Sequence, residues 1–588
     1  MGNEVSTDRG KEMPLNLFIR LVATVLVAAC SQEPVGQSED WVLTNGRIHT
    51  VDQAQPLAEA VVIRDRDFIY VGDNEGAKAF IVDGARITDL RGRLVIPGIV
   101  DAHTHPGQID LTRYEARFEA RTRDEFLREL GEYAHENPGD NWLFGCCWPV
   151  QEFVDGTLGP DRRDLDPIFP DRPVWLMSTG GHSFWLNSRA LAALGLDQDS
   201  RDPKFPVAMY KRDDDGRLTG WVKEGAAWVR VNEVFEVDAA IHEASMRDML
   251  DALSSFGVTT LYDAGTKGFA DRVYDFLSKL DRAGELPVRY EASYRISIPQ
   301  NVKHAIPEMT RYREIYGGKR LRFNTIKLFM DGIHENRSSA VLEPFSDDPE
   351  FFSDTILSVE ELRDFLLELH EAQFDLHVHV IGDLATKRVL DAVEQAKQIV
   401  GHNFYPRVSV GHLQTVDPGD WPRFKALDVS ANFTPWWSGV DDPHPIGAGL
   451  DEARHNAQFR VKAIADAGGN VTFSSDTWNL SRLSPYLGMQ VGHTRQYPRE
   501  WLTPEQDPDA ILHPASEMLP IDLLIRGYTL NGAYQLRMED RIGSIEVGKS
   551  ADLVILGQNL FDTDRYAIHK ITPDAVVMEG ALVHGNPE

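Results

Sequence analysis

Two histidines two residues apart close an apolar run early in the chain. The run is Leu94-Val95-Ile96-Pro97-Gly98-Ile99-Val100-Asp101-Ala102-His103-Thr104-His105. Residues two apart in a strand point to the same face, so His103 and His105 would present their imidazoles side by side. Two imidazoles at a strand end form half of a metal site. Incidental polar histidines are the alternative, but similar residues recur later in the chain and favour metal.

Further candidate ligands lie at or near the ends of later apolar runs. They are Lys327 in Ile326-Lys327-Leu328-Phe329, His379 in His377-Val378-His379, His412 in Val410-Gly411-His412 and Asp476 in Ser474-Ser475-Asp476. Imidazoles and carboxylates suit zinc or a similar divalent metal. Each residue alone has an ordinary structural explanation, whereas the ordered set predicts one metal centre.

The elements that must position these residues alternate between strands and helices. The strand-like runs are 94–105, 174–177, 257–263, 288–297, 323–330, 376–380, 408–412, 429–433 and 471–475, and helical stretches include 188–194, 239–256, 359–371 and 385–400. This alternation predicts an α/β protein built on a (β/α)8 TIM barrel. Active residues of that fold lie at the C-terminal ends of the strands, where the candidate ligands stand.

Both ends of the chain are predicted to form one small β-sandwich module. Its strand-like runs are 41–50, 60–63, 68–72, 543–556, 575–578 and 581–583, which have no barrel partners. We therefore place the module at 41–93 and 541–588, and the barrel domain at 94–540. Residues 108–171 are too long for a simple connection, and we expect them to form an inserted subdomain after the first barrel strand. A plain surface excursion is the alternative.

The first thirty residues have the pattern of an export signal. Arg9, Lys11 and Arg20 precede an apolar run at 21–29 that is too short to span a bilayer stably. The ending Val27-Ala28-Ala29-Cys30 resembles a bacterial lipobox, which implies cleavage before Cys30, lipid attachment to it and a polar tether at 31–40. An ordinary signal peptide with a chance cysteine is the alternative. We predict an exported bacterial lipoprotein on the periplasmic side of the cell envelope.

Charge and cysteine content restrict the partners. The 588 residues carry a formal net charge of −31, which argues against nucleic acid and anionic membranes, so membrane contact is expected only through a lipid anchor at Cys30. A small molecule is the expected partner, and a homo-oligomer is left open. Cys146 and Cys147 are adjacent: a vicinal disulfide is one interpretation, and two small buried residues beside Trp148 is the one we favour.

The ordered motifs resemble those of the metal-dependent amidohydrolase superfamily. The matching segments are Pro-Gly-Ile-Val-Asp-Ala-His-Thr-His at 97–105 and the C-terminal signature at 543–553. A closer resemblance is to the amidohydrolase-3 branch, the YtcJ-like and N-substituted formamide deformylase-like proteins, carried by His379-Val380-Ile381-Gly382-Asp383, Gly411-His412-Leu413-Gln414 and Asp263-Ala264-Gly265. The resemblance covers residues 41 to 588.

The resemblance also implies a place for each ligand. It assigns His103 and His105, with Asp476, to a first metal. It assigns His379 and His412 to a second metal and Lys327, carboxylated, to the bridge between the two. A salt-bridged Lys327 beside a single metal is the alternative. His377, which shares a strand face with His379, is expected to support the ligands rather than to bind metal.

Other positions are implied to surround the substrate. His182, in Gly180-Gly181-His182-Ser183, resembles a segment that usually reads Asp-Gly-His, and a catalytic, substrate-contacting role stands beside the alternative of a buried structural histidine. Glu224 lies where the branch often has an acid near the pocket, and a solvated surface charge is the alternative. Trp436, Trp437 and Trp478 could line an apolar pocket or simply pack. The chain departs from the branch at Gly145-Cys146-Cys147-Trp148, where Gly-x-Gly-Trp is common.

The expected activity is metal-dependent hydrolysis of a carbon–nitrogen bond other than a peptide bond, most simply a small amide. Asp476 would accept a proton from an activated water and pass it to the leaving amine, and His182 would help to hold the oxyanion. The same site could instead serve an ester, a lactone or a deamination. An alternative of a different class is a surface lipoprotein that binds a ligand without turnover.

Overall fold

The computed structural model describes most of the chain beyond the predicted tether. The described residues are 40–108, 116–118, 120, 122–148, 159–202, 209–224, 239–266, 269–347, 349–350, 352–439, 449–502 and 507–588. The export signal, the lipobox at Cys30 and nearly all of the tether lie outside this part of the chain, so they stay predictions. Among the described helices, none is long and apolar enough to cross a membrane.

The N-terminal strands belong to two small sheets. They are β1 (Trp41–Thr44), β2 (Arg47–His49), β3 (Leu57–Ala58), β4 (Ala60–Arg64), β5 (Asp67–Gly72), β6 (Arg86–Asp89) and β7 (Leu94–Pro97). One sheet has the order β5-β4-β1-β6, and β7-β2-β3 form one side of the other. Buried apolar residues of both sheets, among them Leu43, Phe68 and Val95, share one cluster.

The predicted strand 94–105 is divided at Gly98. Its first half is β7, which pairs with β2, and its second half is β8 (Ile99–Thr104), which pairs in parallel with Val258–Asp263. A Cβ on Gly98 would lie 2.4 Å from Thr259 Oγ1, so only glycine fits where the chain passes from one sheet to the other. The continuous apolar run conceals this change of sheet.

The insertion forms a sheet of its own. Its strands are β9 (Ala116–Arg117), β10 (Leu143–Trp148), β11 (Val174–Ser178), β12 (Ser183–Leu186), β13 (Met209–Arg212) and β14 (Leu218–Lys223), in the order β13-β14-β12-β11-β10-β9. The prediction that 174–177 is a barrel strand is therefore wrong, and the inserted sheet continues well past residue 171. A fully buried strand has the same apolar pattern in either sheet, so periodicity could not assign it.

The remaining central strands are all parallel to their neighbours. They are β15 (Val258–Asp263), β16 (Arg289–Glu291), β17 (Arg295–Ile296), β18 (Leu321–Arg322), β19 (Thr325–Phe329), β20 (Asp375–Val380), β21 (Val408–His412), β22 (Val429–Phe433) and β23 (Asn470–Phe473). They form two arrays, β18-β16-β15-β8 and β17-β19-β20-β21-β22-β23. The mixed α/β content is as predicted, with 288–297 divided into β16 and β17. Closure of the two arrays into one (β/α)8 barrel stays a prediction.

A backbone hydrogen bond connects the two arrays at the candidate ligands. The Asp476 amide donates to the His103 carbonyl at 2.9 Å. This bond joins the end of β8 to the segment that follows β23. It places the first and last predicted ligands of the chain next to each other.

Helices follow most of these strands. Their bounds are Asn74–Ala77, Arg123–Glu136, Arg162–Leu165, Ser188–Ala193, Ala239–Ser255, Ala270–Ala283, Val302–Tyr316, Val359–Ala372, Asp383–Val400, Trp421–Ala426, Glu452–His455, Val461–Asp466, Pro485–Thr494, Ile521–Gly527 and Leu530–Gln535. Ser358 and Glu361 form a reciprocal capping box that fixes the start of Val359–Ala372. The apolar faces of the longer helices and the central strands share the largest buried cluster, so the core lies between them.

The C-terminal strands complete the second small sheet. They are β24 (Leu553–Leu556), β25 (Pro573–Met578) and β26 (Ala581–Gly585), and the full order is β26-β25-β24-β7-β2-β3. The β24 strand runs antiparallel to β7, with Val554 opposite Ile96. The two ends of the chain thus share one sheet.

Candidate metal centre and active-site pocket

The six predicted ligands meet at one end of the parallel arrays. They are His103 and His105 at the end of β8, Lys327 in β19, His379 in β20, His412 at the end of β21 and Asp476 after β23. Carboxyl ends of parallel strands share one edge, which is why residues so distant in sequence converge. All six are buried or nearly so.

Asp476 lies at the centre of the histidines. Its Oδ1 atom is 3.4 Å from His103 Nε2 and 3.3 Å from His105 Nε2. Its Oδ2 atom is 3.2 Å from His412 Nδ1. The Lys327 Nζ atom is 3.3 Å from His103 Nε2. In the described part of the chain, His103, His105 and Asp476 form a group whose ligand atoms all lie within 4.8 Å of one another.

His379 completes the group from the next strand. Its ring centroid is 4.4 Å from that of His412, and the ring stacks on Phe329 at 4.5 Å. Among the described residues, His379 Nε2 and His105 Nδ1 are buried without a hydrogen-bond partner. Leaving such an atom unsatisfied costs about 1–3 kcal/mol, which ligation of an ion would offset. The donor set and its unsatisfied atoms therefore fit a divalent metal.

Burial sets the protonation of these groups. It lowers the pKa of His105 to about 4 and the pKa values of His103 and His379 well below their usual range, so these imidazoles are neutral, the form that binds metal. Burial also lowers the pKa of Lys327 far below its usual value. A neutral lysine amine is the form that can take up carbon dioxide as a carbamate.

Asp476 keeps its negative charge in this buried position. Burial alone would raise its pKa, but His103, His412 and His105 more than offset burial and hold the pKa well below its usual value. The backbone at Asp476 has φ +44°, in the left-handed region that non-glycine residues rarely adopt. Ser475 secures this conformation, because its amide and hydroxyl both donate to the Asp101 carboxylate, at 3.0 Å and 2.6 Å.

His377, predicted to support the ligands, lies behind His103. Its Nε2 atom is 2.8 Å from His103 Nδ1, and its Nδ1 atom is 2.7 Å from Ser409 Oγ. This contact leaves His103 Nε2 directed at Asp476 and Lys327. A Cβ on Gly411 would lie 2.8 Å from His377 Nε2, so glycine is needed beside the pair.

His182 and Glu224 form a second polar group at the pocket. His182 Nδ1 is 2.7 Å from Glu224 Oε2, and the His182 ring centroid is 5.8 Å from that of His379. Glu224 is buried, whereas 23% of the His182 side chain is exposed toward the pocket. Asn336 and Ser338 donate to Glu224 Oε1. Sequence reasoning missed these two residues, because they lie in a loop after β19 with no motif to mark them.

One pocket opens above these groups. Its walls include Phe329, Trp436, Trp437 and Trp478, together with Met177 and Ile333, and its charged side chains include Arg117, Arg295, Arg482 and Glu335. The Trp437 ring stacks on His412 at 5.1 Å. The three predicted tryptophans therefore line the pocket. The arginines were not predicted, since isolated arginines carry no positional signal.

Cys146 and Cys147 also lie in the pocket wall, joined as a vicinal disulfide. The favoured interpretation of two small buried residues is therefore wrong. A β-bulge shifts the pairing of β10 with β11 between Cys146 and Trp148, and Cys147 has φ +95°. Adjacent residues of a regular strand point to opposite faces, so the sequence alone favours separate thiols over this pairing.

Histidines and a carboxylate at the carboxyl ends of parallel strands, below an apolar pocket, form a candidate metal centre of the kind found in metal-dependent hydrolases. The chain belongs to the amidohydrolase family, whose model matches residues 86–584. Members of this family are metal-dependent hydrolases that act on small molecules. The match to this family does not support the alternative of a protein that binds a ligand without turnover.

Individual relatives agree with this assignment. YtcJ of Bacillus subtilis (strain 168) is 26% identical over 92% of this chain and 98% of its own. The N-substituted formamide deformylase of Arthrobacter pascens is 23% identical over 93% of this chain and 98% of its own. The predicted resemblance to both is confirmed. An uncharacterized metal-dependent hydrolase from Pyrococcus horikoshii OT3 matches 90% of this chain and 99% of its own, at 23% identity and TM-score 0.66, which shows a shared fold.

Proposed function

We propose that this protein hydrolyses the carbon–nitrogen bond of a small, non-peptide amide. The observation that carries the proposal is the Asp476 carboxylate, which lies among His103, His105 and His412 and opens into the pocket. The deformylase relative, whose name gives an N-substituted formamide as its substrate, supports an amide as the target.

His103, His105 and Asp476 would hold one divalent ion, most simply zinc. His379 and His412 would hold a second ion, and Lys327, as a carbamate, would bridge the two. When bound, such ions activate a water and polarise the substrate carbonyl. The neutral histidines and the neutral Lys327 amine described above support this arrangement.

The chain's own residues would move the protons. Asp476 accepts a proton from the attacking water and later delivers it to the nitrogen of the leaving amine, so that one carboxylate serves as base and then as acid. His182, whose Nδ1 atom is held by Glu224 at 2.7 Å, contacts the carbonyl oxygen and stabilises the negative charge that develops there. Glu224 is then a positioning residue that acts through His182.

Replacing Glu224 with glutamine should lower kcat about tenfold while KM changes little, because the His182 ring loses its charged partner and stabilises the oxyanion less well. His182→Gln should lower kcat at least as much. Steady-state kinetics on both variants measure this. Glu517→Gln is the matched control, since Glu517 is a buried carboxylate that accepts from the Lys462 amide away from the pocket. A normal kcat in His182→Gln would show that His182 is a structural histidine and does not act on the substrate.

Lys327 should carry one carbamate per chain. Equilibration of the metal-loaded protein with ¹³C-labelled bicarbonate should give one carbamate signal in ¹³C NMR. The signal should vanish in Lys327→Ala and persist in Lys223→Ala, a second buried lysine whose pKa burial lowers to about 8. A metal-loaded wild-type protein without the signal would favour the salt-bridged Lys327 beside a single metal.

A substrate panel tests the reaction itself. The purified, metal-replete protein is assayed on N-formyl amines, other small amides, dipeptides, esters, lactones and amino-heterocycles. We expect turnover of the formamides and small amides, with release of the amine. Turnover confined to esters, lactones or amino-heterocycles would replace the amide proposal by the corresponding activity of the same site. No turnover of any compound would contradict the proposal.

A further inference from the structure

The pocket of this acidic chain is rich in positive charge. Among the described residues that line it, three are arginines, Arg117, Arg295 and Arg482, and two are acids, Glu335 and Asp476. The chain as a whole has a net charge of −31. Asp476 interacts with the histidines rather than with these arginines. The excess of positive charge among the described pocket residues therefore needs another explanation.

Arg295 is the arginine whose surroundings are most specific. It lies in β17, where it pairs with Lys327 of β19. Paired residues of neighbouring strands share a face of the sheet and lie about 5 Å apart, so Arg295 stands beside the candidate metal centre. Its guanidinium carbon lies 4.3 Å from the centroid of the Phe329 ring, and its Nε atom donates to Ser297 Oγ at 2.8 Å.

The outer part of the guanidinium is not satisfied by the protein. Its Nη1 atom is buried and has no hydrogen-bond partner among the described residues. Nor does any carboxylate of the described chain lie within 4.0 Å of Arg295. The nearby Asp263 is occupied, because its Oδ2 atom accepts from Tyr290 Oη at 2.7 Å and its Oδ1 atom from the Gly265 amide at 3.0 Å.

The fold makes room for this side chain. Gly265 has φ +103°, and a Cβ there would lie 2.7 Å from Arg295 Cβ. A glycine in a backbone conformation that other residues rarely adopt therefore leaves room for a cation that the protein leaves partly unpaired. An arginine always carries its charge near neutral pH, and burying it without a partner is unfavourable unless a ligand supplies one.

We infer that Arg295 binds a carboxylate of the substrate, so that the amides hydrolysed at this site carry a negative charge. The planar fork of a guanidinium matches a carboxylate better than it matches any neutral group. This inference rests on the proposed function, which it narrows to one substrate class. The apolar wall of Phe329, Trp437 and Trp478 would contact the uncharged remainder of the molecule.

The test compares matched substrates on the metal-loaded protein. Each pair consists of an N-formyl alkylamine and the N-formyl amino acid of the same chain length, so that the two differ only by the carboxylate. Wild type should hydrolyse the acid with kcat/KM about ten- to a hundredfold higher. Arg295→Met should abolish this preference, because kcat/KM for the N-formyl amino acid falls while kcat/KM for the neutral partner stays the same. Arg295→Lys should retain part of the preference.

Arg526→Met is the matched control. Arg526 is a half-buried arginine that donates to the Val51 carbonyl far along the chain, and it does not line the pocket. It should leave the preference unchanged. Equal rates for neutral and charged amides in wild type, or an equal loss for both in Arg295→Met, would overturn the inference while the amide activity stands.

Binding measurements keep the inference separate from the proposed reaction. Butyrate and inorganic phosphate are titrated by calorimetry into metal-loaded wild type, Arg295→Met and Arg526→Met. We expect butyrate to bind wild type and Arg526→Met, and to bind Arg295→Met at least tenfold more weakly. Tighter, Arg295-dependent binding of phosphate would overturn the carboxylate assignment. If butyrate binds as expected but no amide is turned over, the proposed function fails and the anion site remains.

Discussion

Replacing Asp476 with asparagine should lower kcat by about a hundred- to ten-thousand-fold with a smaller change in KM. Asparagine has nearly the same shape and can still offer an oxygen to a metal, but it cannot accept a proton. We therefore expect the variant to fold, to keep at least part of its metal and to lose most of its turnover. Melting temperature, metal content and kcat measured on one preparation separate these effects.

The pH dependence of kcat/KM gives an independent test of the proton-transfer role of Asp476. The three histidines hold the pKa of Asp476 well below its usual value, so the carboxylate is ionised near neutrality and is lost as a base only when the pH falls through that low pKa. The acidic limb of the kcat/KM profile of wild type should reflect this loss, and it should weaken in Asp476→Asn. An activated water that titrates together with Asp476 would contribute to the same limb.

Asp375→Asn is the control for this experiment. Asp375 is also buried, but it lies at the opposite end of β20, where it pairs with Arg537. Its replacement should lower stability and leave the kcat of the folded fraction near normal. If Asp476→Asn behaved in that way, with full metal and near-normal kcat, Asp476 would be a structural acid and the proton-transfer role would be wrong.

Removing His103 should abolish metal binding at the first position and with it nearly all activity. His103 Nε2 lies next to both Asp476 and Lys327, so His103→Ala removes an imidazole from the middle of the candidate ligands. Elemental analysis of the dialysed variant should show at least one divalent ion fewer per chain than wild type. Because a bound ion stabilises only the folded state, the variant should also lose the increase in Tm that added zinc gives wild type.

Two further variants make this result specific. His377→Ala removes only the side chain behind His103, and loss of such support typically weakens metal affinity about ten- to a hundredfold without abolishing it. His402→Ala alters an exposed histidine and should retain the full metal content. Active wild-type protein without stoichiometric metal, or His103→Ala with a full complement, would contradict the metal centre.

The convergence of the candidate ligands could be predicted because each of them lies at or near the end of an apolar run in the sequence. His103, His379 and His412 lie at strand ends, and parallel strands bring their carboxyl ends to one edge. What periodicity could not predict is which sheet a buried strand joins. Close packing determines both the break at Gly98 and the placement of Val174–Ser178 in the inserted sheet. No pattern in the sequence reveals that packing.

The sequence also did not reveal the polar partners of the site. Asn336 and Ser338 reach Glu224 from a loop, and Arg295 is recognisable only by the hydrogen bonds that its surroundings do not supply. The pairing of Cys146 with Cys147 depends on a local bulge that turns the strand. Each of these features arises from three-dimensional contact between segments whose sequences, taken separately, are unremarkable in composition.

The place of β7 between β2 and β24 has a consequence for biosynthesis. The ribosome makes β2 and β7 early, but β24, which covers the free edge of β7, is made only after the whole metal-binding region has been synthesised. Until then the nascent chain carries an apolar strand with one unpaired edge, the kind of surface on which other chains can add a strand. Productive folding of the N-terminal sheet therefore waits for the last strands to emerge, and a chain that terminates before Leu553 leaves that edge permanently open.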